Sequence, residues 1–241
     1  MTPFGLANGS QFRLPPPPAL DSDQYADAYN EVKLVGRFDS PFRPQDRTDV
    51  ARFYAVTTPV MLFNSAARQV SAAQGKTLSE NARIFALLGM AIADGSIACF
   101  DTKYHYNFWR PVTAIRAGGL DDNDETDPDP DWLPLIATPA FPGYPSAHGT
   151  LSGAARAVLE RAFGKRRQAI TLTNPGLPGI VLNYTAWEQI TDDIDDARIY
   201  GGIHFRFDQE AGARQGRQVG RYILRHYLRS VLDDDDFDDD E

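Results

Sequence analysis

Three short clusters hold most of the residues in this chain that could do chemistry on an anion. The first runs from Lys103 through Tyr104, His105, Tyr106, Asn107, Phe108 and Trp109 to Arg110 and Pro111. Lys103 and Arg110 are seven apart, two turns of a helix, so the spacing predicts that they project from one face. Cations stacked on one face repel unless an anion lies between them. The surrounding aromatics make the neighbourhood semi-buried, where a cation pair without a counter-charge is expensive. Taken alone, the cluster reads equally well as a solvated basic face or as an anion site. The second cluster runs from Phe141 through Pro145, Ser146, Ala147 and His148 to Gly149. Pro145 and Ser146 are helix-opening residues, and a helix start presents unpaired amides and a positive dipole end to an oxyanion. His148, in the first turn, can donate to or accept from an anion held there.

The third cluster is Ala197-Arg198, then Gly201-Gly202-Ile203-His204, then Asp208. Asp208 follows His204 by four, one helical turn, where a carboxylate can accept the imidazole Nδ1–H and leave Nε2 for a ligand. The two glycines weaken a regular helix by roughly 1 kcal/mol each and allow a close backbone approach.

Taken together, Lys-x6-Arg-Pro, Pro-Ser-Ala-His and Arg-x5-His-x3-Asp resemble the three-part signature of the vanadium-dependent haloperoxidases and related acid phosphatases. Two positions depart from it: Ala147 stands where the family has glycine, and Ala197 where it has serine. The resemblance implies vanadate as cofactor, with phosphate fitting the same site. It implies that Lys103, Arg110 and Arg198 neutralise the equatorial oxygens, with Ser146 and the Ala147 amide completing the cradle. His204 would be the covalent vanadium ligand, Asp208 would fix its tautomer, and His148 would be the acid–base. Phe141, five before Ser146, falls where chloride-oxidising members often carry phenylalanine and bromide-restricted ones histidine. The implied partners are hydrogen peroxide, a halide and a small organic acceptor, and a homo-oligomer is compatible with the resemblance. The implied activity is halide oxidation. The alternatives are phosphate monoester hydrolysis through a phosphohistidine, and a non-catalytic oxyanion-binding module.

The elements that must position these clusters read as helices. Asp21 to Asp23 offers caps for a helix through Val32, Pro44 to Asp46 opens a second, and Val60 to Ala73 forms a third. Thr77 with Glu80 is a capping box before the strongest helical pattern, Asn81 to about Phe108, apolar almost all round and therefore a buried central helix. Periodicity disappears from Gly118 to Tyr144, and a loop this long in a compact domain is more often functional than not. Helices resume from Ser146 to Ala162, from Thr185 to about Ile203 and from Phe207 to Leu232. No stretch shows sustained strand alternation. The expected fold class is all-α, a helical bundle with a long loop before the anion-binding helix.

The expected domain is residues 1–232, led by an extended proline-rich arm over 1–20 with Pro15 to Pro18 in polyproline-like form. Residues 233–241, acidic at every position but Phe237, read as a solvated tail. Formal net charge is −9, and without the tail the body is near neutral, which gives no support to nucleic-acid binding. Met1 to Leu20 lacks a signal-peptide pattern, while the resemblance allows a secreted or periplasmic protein. The longest uninterrupted apolar stretch, Ile84 to Ala93, is well short of the roughly 20 residues of a membrane span. Cys99, the single cysteine, reads as a small core residue, and His105 and His226 as structural or exposed.

Overall fold

The structure, a computed structural model, describes residues 1–229. The acidic run expected as a tail lies outside the described residues. Among the described residues eight α-helices and one hairpin follow in order, with a single 3-10 turn at Gly118–Leu120: α1 Asp23–Val35, α2 Gln45–Val56, α3 Pro59–Ala73, α4 Leu78–Tyr106, α5 Pro111–Arg116, α6 Ala147–Phe163, β1 Arg166–Thr173, β2 Val181–Ala186, α7 Trp187–Tyr200 and α8 Arg206–His226. The expected helical bundle is present, with a small β addition.

Local chemistry sets the helix starts. Ser22 caps α1 by accepting from the Tyr25 amide, and Thr58 caps α3 ahead of Pro59. The capping box of α4 forms in both directions: Glu80 N–H donates to Thr77 Oγ1 at 3.3 Å and Thr77 N–H to Glu80 Oε2 at 2.8 Å. Loss of such a cap typically costs about 1 kcal/mol.

The bundle is organised by α4, α6 and α8. Gly212, Gly216 and Gly220 form a strip on α8 that lies directly on α6. A Cβ at Gly212 would sit 2.6 Å from the Ser146 carbonyl, and one at Gly220 2.7 Å from that of Ala154. Only glycine permits this approach, and it brings the N-terminal ends of α6 and α8 together. Ser146 N–H then donates to the Asp208 carbonyl at 2.8 Å, tying the two ends directly.

The α4 helix is long and apolar enough, by length and composition, to cross a membrane, and half of its apolar window is buried in the bundle. That window is longer than the run Ile84 to Ala93 suggests, because it continues past Asp94. Asp94 is buried, and its carboxylate accepts from the amides of Phe4, Gly5 and Leu6 at 2.7, 2.7 and 3.0 Å. The N-terminal arm is thereby fastened to α4. Pro15 to Pro18 belong to no helix or strand, and the Leu14 and Pro15 carbonyls accept from Tyr106 and Tyr144.

The hairpin corrects the expectation that no segment alternates. Along β1, Gln168, Ile170 and Leu172 point inward and their neighbours outward. Pairing with β2 is antiparallel, with an irregularity between Arg166 and Ile170 where Arg167 adopts φ +67°. Alternation that short, flanked by charged residues and broken at one end, leaves a weak period-two signal. The last helix but one consequently starts at Trp187, since Thr185 and Ala186 belong to β2.

Two hydrophobic clusters fill the interior. One, with Phe53, Phe63, Leu88 and Trp187, lies under α3, α4, α6 and the hairpin. The other, with Tyr25, Tyr29, Trp132, Phe205 and Phe207, lies under α1 and the long loop. Arg198 sits between Ala197 of the first and Ile199 of the second, at their junction.

Candidate active site

Lys103 and Arg110 do converge, but not on one helical face. Helix α4 ends at Tyr106, Asn107 turns left-handed at φ 50°, and Arg110 is the extended residue that precedes α5. Pro111 enforces this, because the residue before a proline is pushed out of helical geometry. The long loop brings the two cations together instead. Lys103 Nζ donates to the Pro142 and Gly143 carbonyls at 2.7 and 2.8 Å, and Arg110 Nε to the Phe141 carbonyl at 2.9 Å. The Phe141 ring lies beneath both, 5.3 Å from Lys103 Nζ and 5.1 Å from Arg110 Cζ.

His204 and Asp208 also meet by a route other than the one their spacing suggests. His204 lies before α8, Phe205 is its N-cap, and Asp208 is in the first turn. Asp208 Oδ2 accepts from the Phe205 amide at 3.1 Å and pairs with His204 Nδ1 at 2.8 Å. The same carboxylate oxygen thus caps the helix and orients the imidazole. His204 Nε2 lies 2.9 Å from Arg110 Nη1, which also donates to the Ile203 carbonyl at 2.8 Å. The backbone approach that Gly201 and Gly202 permit is to the chain itself: a Cβ at either would strike Ile136 or Pro134, and Gly202 has φ +77°.

On the opposite side, Ser146 is the N-cap of α6 and its Oγ accepts from the Gly149 amide at 3.2 Å. Ala147 and His148 head the helix, where amides have no intrahelical acceptor. Arg198, in the last turn of α7, donates from Nη1 to the Tyr54 carbonyl at 3.2 Å. The Tyr54 backbone favours the charged form of His148, though burial outweighs it. Tyr54 carries no chemical motif in the sequence, where it reads only as part of the apolar face of α2; its contribution comes from the main chain. The Phe141, Pro142 and Gly143 carbonyls escape sequence reading for the same reason. His105 and His226 are exposed and Cys99 is buried, as expected.

The electrostatics of the cluster are unusual for a protein interior. Lys103, Arg110 and Arg198 are 0%, 5% and 4% exposed, and Asp208, at 0%, is the carboxylate among them. Burial, with repulsion from Arg110 and Arg198, pulls Lys103 down to about 8. Burial likewise lowers Arg110 to about 10, and burial with repulsion from Arg110 lowers Arg198 to about 9. The guanidiniums nevertheless remain charged at neutral pH. Burial and the three cations hold both His148 and His204 well below the ordinary imidazole range, so both rings are neutral. Burial raises Asp208 against the pull of Lys103 and Arg110.

Three buried polar atoms at this cluster lack a protein partner: Arg110 Nη2, Arg198 Nε and Asp208 Oδ1. Each such group costs about 1–3 kcal/mol unless something pairs with it. Two guanidinium forks, one ammonium and a helix start are donor types that suit an oxyanion. Among the described residues no three His, Cys, Asp or Glu side chains gather to hold a metal cation. An oxyanion needs no such cage, since cations and amides surround it.

Comparison with known proteins follows the same line. By sequence the chain is 26% identical, over 276 aligned positions, to vanadium chloroperoxidase of Curvularia inaequalis, with 86% of this chain and 44% of that protein covered. The solved structure of a bacterial vanadium-dependent iodoperoxidase superposes with a TM-score of 0.78 at 29% identity, covering 92% of this chain and 55% of the other. The apo form of a bacterial vanadium-dependent chloroperoxidase shares the fold, with a TM-score of 0.73 at 18% identity over 93% of this chain and 55% of the other. The chain spans about half the length of these relatives. Residues 83–233, which include all three clusters, match the family model of the VCPO second helical-bundle domain. Because that match takes in more than half of the sequence, the chain belongs to the vanadium-dependent haloperoxidase family.

Proposed function

We propose that this chain holds vanadate among Lys103, Arg110, Arg198, Ser146, Ala147, His148 and His204, and uses it to oxidise halide with hydrogen peroxide to hypohalous acid. The observation that carries this reading is the pair of buried, partnerless guanidinium N–H groups, Arg110 Nη2 and Arg198 Nε, beside a histidine whose Nδ1 is committed to Asp208. Vanadate, when bound, supplies peroxide activation and oxygen transfer to the halide. The protein does the rest. Lys103, Arg110 and Arg198 neutralise the oxyanion in a setting where charge-assisted bonds are about twice as strong as neutral ones. Asp208 holds the proton on His204 Nδ1, and Nε2, which in the free site accepts from Arg110 Nη1, is the nitrogen that would exchange that contact to anchor the anion. His148, neutral at rest, takes a proton from peroxide and returns it. The half-buried Phe141 ring keeps water away from the two cations above it, which strengthens their field.

The same donors suit a second reaction, phosphate monoester hydrolysis, with His204 attacking phosphorus and His148 protonating the leaving group. A monochlorodimedone-type halogenation assay with iodide, bromide and chloride, run beside a phosphomonoester assay after loading with vanadate or with phosphate, separates the two. Halide- and vanadate-dependent turnover, with bromide faster than chloride, is the expected result; phosphatase turnover that vanadate only inhibits would overturn it. Phe141→His is expected to suppress chloride oxidation selectively. Equal loss with both halides would make Phe141 a packing residue.

A further inference from the structure

Helix α2 ends against the site. Tyr54 is the third residue from its end, so its carbonyl is among the last four, which have no intrahelical amide to accept from. The chain leaves the helix at Thr57 in extended geometry, φ −116° and ψ 115°. The carbonyl also sits at the negative end of the helix dipole. It accepts from Arg198 Nη1 at 3.2 Å. A main-chain carbonyl is therefore the acceptor for one of the buried cations of the cluster, an arginine for which a carboxylate would be the usual buried partner.

The Tyr54 side chain explains how that stretch is held. It is 1% exposed, and its hydroxyl pairs with the Tyr184 hydroxyl at 2.9 Å. Tyr184, on β2, donates to Asp193 Oδ2 at 2.6 Å. Asp193, on α7, accepts at Oδ1 from Arg47 Nη1 at 2.9 Å. Arg47 is on α2, so the hydrogen-bonded chain leaves α2 at Tyr54 and returns to it two turns earlier. It fastens the end of α2 both to the hairpin and to the helix that carries Arg198. A phenylalanine would fill the volume at 54 without burying a hydroxyl, and buried polar chains of this kind rigidify what they connect when every member is paired.

We propose that Tyr54 is a positioning residue for the oxyanion site, its carbonyl held by the Tyr184–Asp193–Arg47 chain so that Arg198 Nη1 is fixed and Arg198 Nε is aimed at the anion. The proposal rests on the oxyanion reading above and adds to it residues outside the three sequence clusters. It also gives the hairpin a task, since β2 supplies the acceptor for Tyr54.

The test compares Tyr54→Phe, Tyr184→Phe and the double variant with Tyr29→Phe, all in the full chain. Tyr29 is a buried tyrosine whose hydroxyl donates to the Asp127 carbonyl at 2.7 Å, away from the cluster, so it reports the cost of losing any such bond. Orthophosphate affinity is measured by calorimetry, the Arg198 Nε–H signal by NMR, and stability by thermal melting. Each of the two site variants is expected to weaken orthophosphate about tenfold, as loss of a supporting partner typically does. The double variant should be no weaker than the worse single one, because one chain is being cut twice. Tyr29→Phe should lower the melting temperature and leave phosphate affinity alone. Affinities within about twofold of wild type in both site variants, or an equal loss in Tyr29→Phe, would overturn the proposal. If wild type binds neither orthophosphate nor orthovanadate, the oxyanion reading falls by itself. The Arg198 Nε–H signal then decides the positioning claim: sharp in wild type and broadened in both variants supports it, unchanged overturns it. Should Tyr54→Phe fail to fold, Tyr184→Phe and Asp193→Asn carry the same test from the hairpin and α7.

Discussion

Gln215 and Arg198 are both buried and polar, and both lie on helices that frame the candidate site, yet their surroundings differ. Gln215 stands between α4, α6 and the N-terminal arm. Its Nε2 reaches the Phe12 and Ala98 carbonyls and Thr102 Oγ1 at 3.0, 3.1 and 2.9 Å, and its Oε1 accepts from Thr150 at 3.3 Å. Both polar atoms of the Gln215 side chain thus have partners within the chain. At the oxyanion cluster Arg198 Nε, Arg110 Nη2 and Asp208 Oδ1 have none. A buried polar group that the fold satisfies contributes to the fold, whereas buried charged groups left open together call for an explanation, and a ligand supplies one. Buried charge alone does not distinguish the two, as Asp94 shows: its carboxylate is consumed by three amides of the arm.

The comparison can be broken most sharply at the arginines. Replacing both Arg110 and Arg198 with alanine should cost several kcal/mol of vanadate or phosphate binding, while melting temperature changes little or rises once two mutually repelling cations are gone. Gln215→Leu should do the reverse, lowering the melting temperature and sparing affinity. Thermal melts of each with and without saturating phosphate check both; phosphate still protecting the double arginine variant would put the cradle elsewhere.

Asp208→Asn should have a smaller effect, about 10–100-fold in vanadate affinity, because it disturbs the orientation of His204 while the three cations stay in place. Calorimetric titration measures it, and a loss as complete as removing His204 would mean that Asp208 itself touches the anion.

The smallest effect sharpens the electrostatic side. Lys103 is held down to about 8 by burial and its cationic neighbours, and an anion beside it favours its charged form. Binding above pH 8 must therefore take up a proton at Lys103, so beyond the ionisation of phosphate itself the affinity should fall above pH 8, by up to about tenfold per pH unit. Lys103→Met should remove that dependence along with part of the affinity. A slope unchanged in the variant would assign the proton to another group.

Much of this arrangement was legible in the sequence where a side chain carries the signal. The Thr77 and Glu80 capping box and the burial of Cys99 follow from residue type and spacing, and the pairing of His204 with Asp208 from residue type. Spacing misled where a proline or a cap intervened. Lys103 and Arg110 share no helix, because Pro111 extends the residue before it, and His204 precedes α8 while Asp208 lies within it. The least legible parts are those made of main chain. Nothing in the sequence marks the carbonyls of Tyr54, Phe141, Pro142 and Gly143 as partners for the cations, and the β1 alternation was too short to stand out beside α6 and α7.

The central claim is that His204 anchors an oxyanion that the three buried cations neutralise. Its most direct test is the vanadium content of the protein after loading with orthovanadate and exhaustive desalting, measured by elemental analysis for wild type and His204→Ala side by side. The account predicts stoichiometric vanadium in wild type and none in the variant, with both chains folded by circular dichroism. Stoichiometric vanadium retained by His204→Ala, or none held by a folded wild type, would contradict it.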